Sequence, residues 1–251
     1  MSMLPVRGAA VALRAPDGVD DLLLQETSGG PVAAGLALLA RLVAGAIDCA
    51  TLVVTDFEFL LLQLRVARFG QQMALGFACP HCRAMAEVNF RAADLLDGVK
   101  PRTVAGVVAD GVRTGWWQLG EAGFRLPMAG DLAAVALAAD PAVALAGRCL
   151  DDIARRPPHR ARVERAMAVM APPLSRPVAG SCPACSAEVR AGFSVARVVV
   201  AELKRAAGAV HDEVDLIAHA YHWSEATILA LPQERRRAYA ERIRRSTPRA
   251  A

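Results

Sequence analysis

Four of the six cysteines fall into two pairs of identical form, Cys79-Pro80-His81-Cys82 and Cys182-Pro183-Ala184-Cys185. A two-residue gap lets a tight turn aim two sulfurs at one ion while backbone N–H groups point at the thiolates, and two such turns complete a tetrahedral shell. The pattern predicts a four-thiolate structural zinc site of Cys79, Cys82, Cys182 and Cys185 that joins two distant stretches of chain. The competing readings are a redox dithiol and two disulfides. A thioredoxin-like dithiol sits at the start of a helix, whereas strand-like residues follow both pairs here. A catalytic zinc would keep one position open for water, which four cysteines close. His81 is a further candidate ligand, expected to point to solvent.

Other residues with chemical potential lack partners at useful spacing. Cys49 and Cys149 read as small buried apolar residues. His219 and His222 flank Tyr221 near a helix end, where packing or a C-terminal contact is expected rather than a metal or proton relay. Asp20-Asp21, Asp151-Asp152 and Asp212-Glu213 read as helix-end or surface charge. No glycine-rich phosphate loop, nucleophile elbow or His-Glu-x-x-His helix occurs, so no enzymatic activity is expected.

Around this chemistry the 251-residue chain is long enough for a proper core without a metal. It is 54% apolar but only 5% aromatic, which suggests closely packed, alanine-rich helices. The formal charge is +4, with arginine clusters at residues 155–162 and 235–249. The second is expected to be a solvated helix face. An alternative is a zinc-ribbon nucleic-acid binder using Arg235, Arg236, Arg237, Arg242, Arg244 and Arg245. The N-terminus carries no legible secretory signal, and the most apolar window, residues 31–47, is interrupted by Arg41 and falls short of a membrane span. A reducing cytoplasm is the expected setting, and there paired cysteines favour metal over disulfide.

The expected elements follow in order. A strand over 19–25 precedes a helix over 32–44. A capping box of Thr55 and Glu58 opens a helix that Gly70 stops. Each cysteine pair then sits in a faint repeat of strand, turn and strand, with Ala-Glu-Val at 86–88 and again at 187–189. Between the copies are strands at 116–119 and 123–126, a helix capped by Asp131, one from Pro141 through Leu145, Leu150 and Ile153, and one over 161–170. One long helix is expected over 195–221, kinked at Gly208. Ser224 caps a short helix over 225–230, and Pro232 takes the first position of a terminal helix that frays beyond Ser246. The fold class is α+β, mainly helical. It comprises N-terminal elements (1–70), a split zinc ribbon (71–95 and 176–194), a mainly helical insert carried on the ribbon (96–175) and a C-terminal helical region (195–251).

The run Phe59-Leu60-Leu61-Leu62-Gln63-Leu64-Arg65-Val66-Ala67-Arg68-Phe69-Gly70, then Cys-Pro-His-Cys, Gly123-Phe124-Arg125-Leu126-Pro127, Cys-Pro-Ala-Cys and Tyr221-His222-Trp223-Ser224, resembles the baseplate hub assembly chaperone family of T-even-type phages and related contractile injection systems. The stretch from Trp223 through Leu229, Pro232 and Arg235-Arg236-Arg237 to Tyr239 also resembles a module of contractile tail operons. The resemblance covers roughly residues 50–245. It implies a non-enzymatic cytoplasmic factor that binds another baseplate or hub protein, with Trp116, Trp117, Trp223 and Tyr239 as candidate contacts; ordinary core packing is the alternative for these rings.

Overall fold

The computed structural model describes residues 2–45 and 47–246; the expected fraying beyond Ser246 lies outside them. The fold is α+β, helices dominating, with small antiparallel sheets. A short pair, β1 (Ser2–Met3) and β2 (Ala10–Val11), leads into α1 (Gly18–Glu26) and α2 (Gly30–Leu42). The expected strand over 19–25 is therefore a helix. The Asp17 carboxylate accepts from the Val19 and Asp20 N–H groups while Asp20 accepts from Asp17, and this reciprocal cap decides an apolar run whose spacing was ambiguous.

A 3-10 turn (Cys49–Thr51) precedes α3 (Val54–Phe69), whose Phe57, Leu60, Leu61, Leu62 and Leu64 are buried around most of its circumference. This makes α3 the central helix, with α2 on one side and α8 (Val195–Ala207) on another. The expected capping box is absent. Val54 donates instead to the Pro127 carbonyl at 3.0 Å, so the helix starts before Thr55. Thr55 donates to the Pro172 carbonyl at 3.1 Å, and Glu58 accepts from both the N–H and the hydroxyl of Ser175. The Ser175 oxygen in turn accepts from the Val195 N–H at the start of α8. Burial pushes the Glu58 carboxyl above its ordinary range, against the Ser175 and Leu174 donors that favour the anion.

After α3 come β3 (Gln72–Ala78), β4 (Met85–Arg91) and the short α4 (Ala92–Leu96). The following segment forms a three-stranded sheet, β5 (Val107–Ala109), β6 (Trp117–Leu119) and β7 (Ala122–Phe124), then α5 (Ala129–Val135), α6 (Pro141–Cys149) and α7 (Pro157–Met170). Leu119, Phe124, Leu150, Val163 and Ala166 make its own core. Asp131 lies in the first turn of α5 rather than at its cap: it accepts from the Met128 N–H and grips Arg125 and Arg148 at 2.6–2.8 Å. Burial opposes ionisation there, yet the arginines hold the carboxyl well below the usual range. The helix from Pro141 ends at Cys149, because Leu150 bridges to Phe124 and Asp151 accepts from the Gly123 N–H. The segment is also sewn to the main core, through Ala129 to Leu52 at 2.8 Å and a bridge between Val53 and Met128, so the strands that flank it in sequence do not carry it alone.

After β8 (Val178–Ser181) and β9 (Glu188–Ala191), the expected long helix is two, α8 and α9 (Val210–Tyr221), parted at Gly208 and Ala209. Their apolar faces serve different cores: Val199 and Leu203 join the main one, while Ile217 packs with Ile228 of α10 (Glu225–Leu229) and Ile243 of α11 (Gln233–Ser246). Ser224 caps α10 as expected, and Pro232 supplies the capping carbonyl just before α11.

The C-terminal helices dock through a buried charge cluster that contradicts the expected surface roles. Arg236 is fully buried and bonds to Asp21, to Glu213 at 3.1 Å and to the Leu231 carbonyl. Arg68 adds a 3.0 Å bond to Asp21, and Asp20 is buried beneath Arg14 and Arg41. Gly18 permits this approach, since a Cβ there would lie 2.7 Å from Arg236 Nη1 and 2.8 Å from Leu229. Arg236 is therefore no member of a solvated basic face. Arg236→Ala, which strands Asp21 and Glu213 in the interior, is expected to lower stability by about 3–5 kcal/mol in urea denaturation; an exposed neighbour such as Arg235→Ala should change it by less than about 0.5 kcal/mol.

Candidate metal centre

Strands β3 and β4 pair in register from Gln72 with Arg91 to Ala78 with Met85, and β8 and β9 from Val178 with Ala191 to Ser181 with Glu188. Each hairpin closes with a six-residue turn that begins at a cysteine. The turns correspond atom for atom in their hydrogen bonding. Cys79 donates to the Ala84 carbonyl and Arg83 donates back to Cys79, as Cys182 donates to Ala187 and Ser186 to Cys182, all at 2.8–2.9 Å. Arg83 and Ser186 occupy the same left-handed position, at φ 60° and 59°, so each chain turns sharply after its second cysteine. The faint repeat in the sequence is thus one local structure built twice.

The hairpins meet at their cysteine ends. Phe77 and Ala86 of one pack with Val189 of the other, and a Cβ at Gly180 would collide with Val88 Cγ2. This contact brings four sulfurs together. Cys79 Sγ lies 3.8 Å from Cys185 Sγ and Cys82 Sγ 3.7 Å from Cys182 Sγ, and all four lie within 4.8 Å of one another. A tetrahedral ion with thiolate bonds of about 2.3 Å has sulfur–sulfur edges of about 3.8 Å. The first cysteine of each pair is buried and the second exposed, and all four are free thiols.

The backbone prepares the buried pair for ionisation. The Cys82 and His81 N–H groups lower the Cys79 thiol, and those of Cys185 and Ala184 bring Cys182 to about 7. Cys185 behaves oppositely: although the Ala187 N–H favours its anion, desolvation and the sulfurs of Cys82, Cys182 and Cys79 push it up to about 12. Four thiolates at this spacing require a cation among them. The group can hold a metal ion in a shell closed entirely by sulfur.

Comparison with protein-family models, curated proteins and solved structures gave no match.

The remaining predicted residues stand apart from this centre. His81 is exposed, outside the four-sulfur group. Cys49 and Cys149 are buried, and desolvation pushes the Cys149 thiol up to about 11, which suits an inert side chain. His219 and His222 are exposed, and His222 closes α9 in a left-handed conformation. Trp116 lies under the Arg113 guanidinium at 4.2 Å, and Trp117 stacks on Phe124 in the insert's sheet. Trp223 and Tyr239 belong to a separate C-terminal cluster, in which Tyr221 is a third ring. The adjacency Tyr221-His222-Trp223, with a helix end between the rings, was the available signal for Tyr221.

Two outcomes test the centre. Cys182→Ser should lower metal content and the thermal midpoint together, as read by elemental analysis and calorimetry, because binding and folding are coupled. Gly180→Ala should cost about 1–3 kcal/mol through overpacking against Val88, and Val88→Ala in the same chain should recover part of that loss in a double-mutant cycle.

Proposed function

We propose that the four-cysteine centre holds a structural zinc ion, and that this chain is a non-enzymatic assembly factor or structural component of the baseplate or hub of a contractile tail or injection system. Zinc suits an all-sulfur tetrahedral shell that leaves no position for water or substrate, so its contribution is to folding rather than to a reaction. Iron is the other ion such a shell accepts, and visible absorption would reveal it.

The observation that carries the assembly reading is the order of motifs from residue 59 to residue 239 that resembles the hub assembly chaperones. Those motifs fall on framework elements: the central helix α3, the two cysteine turns, β7 with its following turn, and the corner between α9 and α10. A metal-pinned pair of hairpins, an insert sewn to the helical core and a docked C-terminal helical unit suit a scaffold that holds binding surfaces in fixed relation. The ribbon-like centre plays the part of a rivet. Under this reading the partner is a baseplate or hub protein met in the host cytoplasm, nucleic acid is not a ligand, and the factor is either released or built into the particle. Among the described residues no helix is long and apolar enough to cross a membrane.

Purification of the chain from its native host, followed by zinc analysis and mass spectrometry of co-purifying proteins, tests both halves. The expected result is about one zinc per chain with a baseplate or hub protein in stable association. Zinc accompanied only by nucleic acid would move the function to a zinc-ribbon binder of phosphate backbones, and association with neither would count against the assembly role.

A further inference from the structure

The C-terminal unit carries three aromatic rings in mutual contact at its surface. Tyr221 and Trp223 are stacked, with centroids 5.3 Å apart, and Tyr239 stands edge-on to both at 5.8 and 5.2 Å. Tyr221 is 37% exposed and the other two rings are half-buried, so the cluster closes the small core of Ile217, Ile228 and Ile243 and also faces outward. Along α11, Arg235 and Arg242 lie four residues before and three after Tyr239, the spacings that place side chains beside one another on a helix. Both are exposed, and among the described residues neither has a carboxylate within ion-pair distance. By contrast, Arg236, Arg237 and Arg245 have carboxylate partners.

We propose that Tyr221, Trp223 and Tyr239, with Arg235 and Arg242 beside them, form the docking surface for an acidic segment of a partner protein that carries apolar side chains. Large rings at a half-buried site supply contact area at low entropic cost, and arginine with tyrosine and tryptophan is the composition of interface anchors. These two guanidiniums select for carboxylates on the incoming segment and favour its approach. Single-stranded nucleic acid is the less favoured occupant. Base stacking needs open ring faces, whereas these rings are engaged with one another, and the middle arginine of the basic run is buried.

This deepens the assembly-factor reading and rests on it only for the existence of a protein partner. The test uses the full zinc-loaded chain and fluorescence anisotropy with three labelled probes of equal length: a peptide of glutamates interspersed with leucines, a peptide of glutamates interspersed with serines, and a single-stranded DNA. The glutamate–leucine peptide should bind at least tenfold more tightly than the other two. Arg235→Glu/Arg242→Glu, on an exposed face, should weaken that binding at least tenfold with zinc content and circular dichroism unchanged. Arg162→Glu/Arg165→Glu on α7 should leave it within twofold. Equal binding of the two peptides, preference for DNA, or indifference to the Arg235/Arg242 reversal would overturn the proposal. The two readings fail separately. A baseplate protein that still co-purifies with the Arg235/Arg242 variant sinks this surface but not the assembly role, and selective peptide binding without any baseplate partner does the reverse.

Discussion

Four sulfurs within 4.8 Å of one another cannot all be anions unless a cation lies among them, and that constraint organises the middle of this molecule. The two hairpins are too small to be stable alone, with few interlocking side chains between them. Their mutual orientation is fixed by the contact of Gly180 with Val88 and by the packing of Phe77 and Ala86 of the first hairpin with Val189 of the second. Helix α3 runs into the first hairpin, and α8 leaves the second to lie back along α3, so the position of the sulfurs and the packing of the main core determine each other.

Buried polar side chains tie together pieces that apolar packing leaves loose. Glu58 and Ser175 join the end of the insert to α3 and to the start of α8. Asp21, Arg236, Glu213 and Arg68 join α1, α3, α9 and α11. Each cluster is partnered on every side, and among the described residues no buried side-chain nitrogen or oxygen lacks a hydrogen bond. Such clusters specify one docking geometry, because a shifted helix would leave charges unpaired in the interior.

The chemistry was more legible in the sequence than the architecture. Cysteine spacing reports directly on local turn geometry, so the four-cysteine group and the hairpins around it could be read residue by residue. The side chains misread were those whose partners lie far along the chain. Thr55 and Glu58 have the spacing of a cap, but they bond to Pro172 and Ser175, more than a hundred residues away, and nothing local signals that. Asp20, Asp21, Glu213 and Arg236 look like helix-surface charge for the same reason. The run at 22–24 misled differently: three leucines fit a strand as well as a helix, and Asp17, just outside the run, decides between them.

The two halves of the metal shell are separated by 100 residues between Cys82 and Cys182. At synthesis rates of roughly 5–20 residues per second, the first cysteine pair emerges roughly 5–20 s before the second. Through that interval Cys79 and Cys82 form a bare dithiol that can hold an ion by only half its shell, and the ordered arrangement becomes available only after the insert has been made. Closure of the shell therefore reports that everything between the pairs has been translated and has brought its ends together. An ion held by all four sulfurs would therefore complete its shell late on a nascent chain rather than seed its folding.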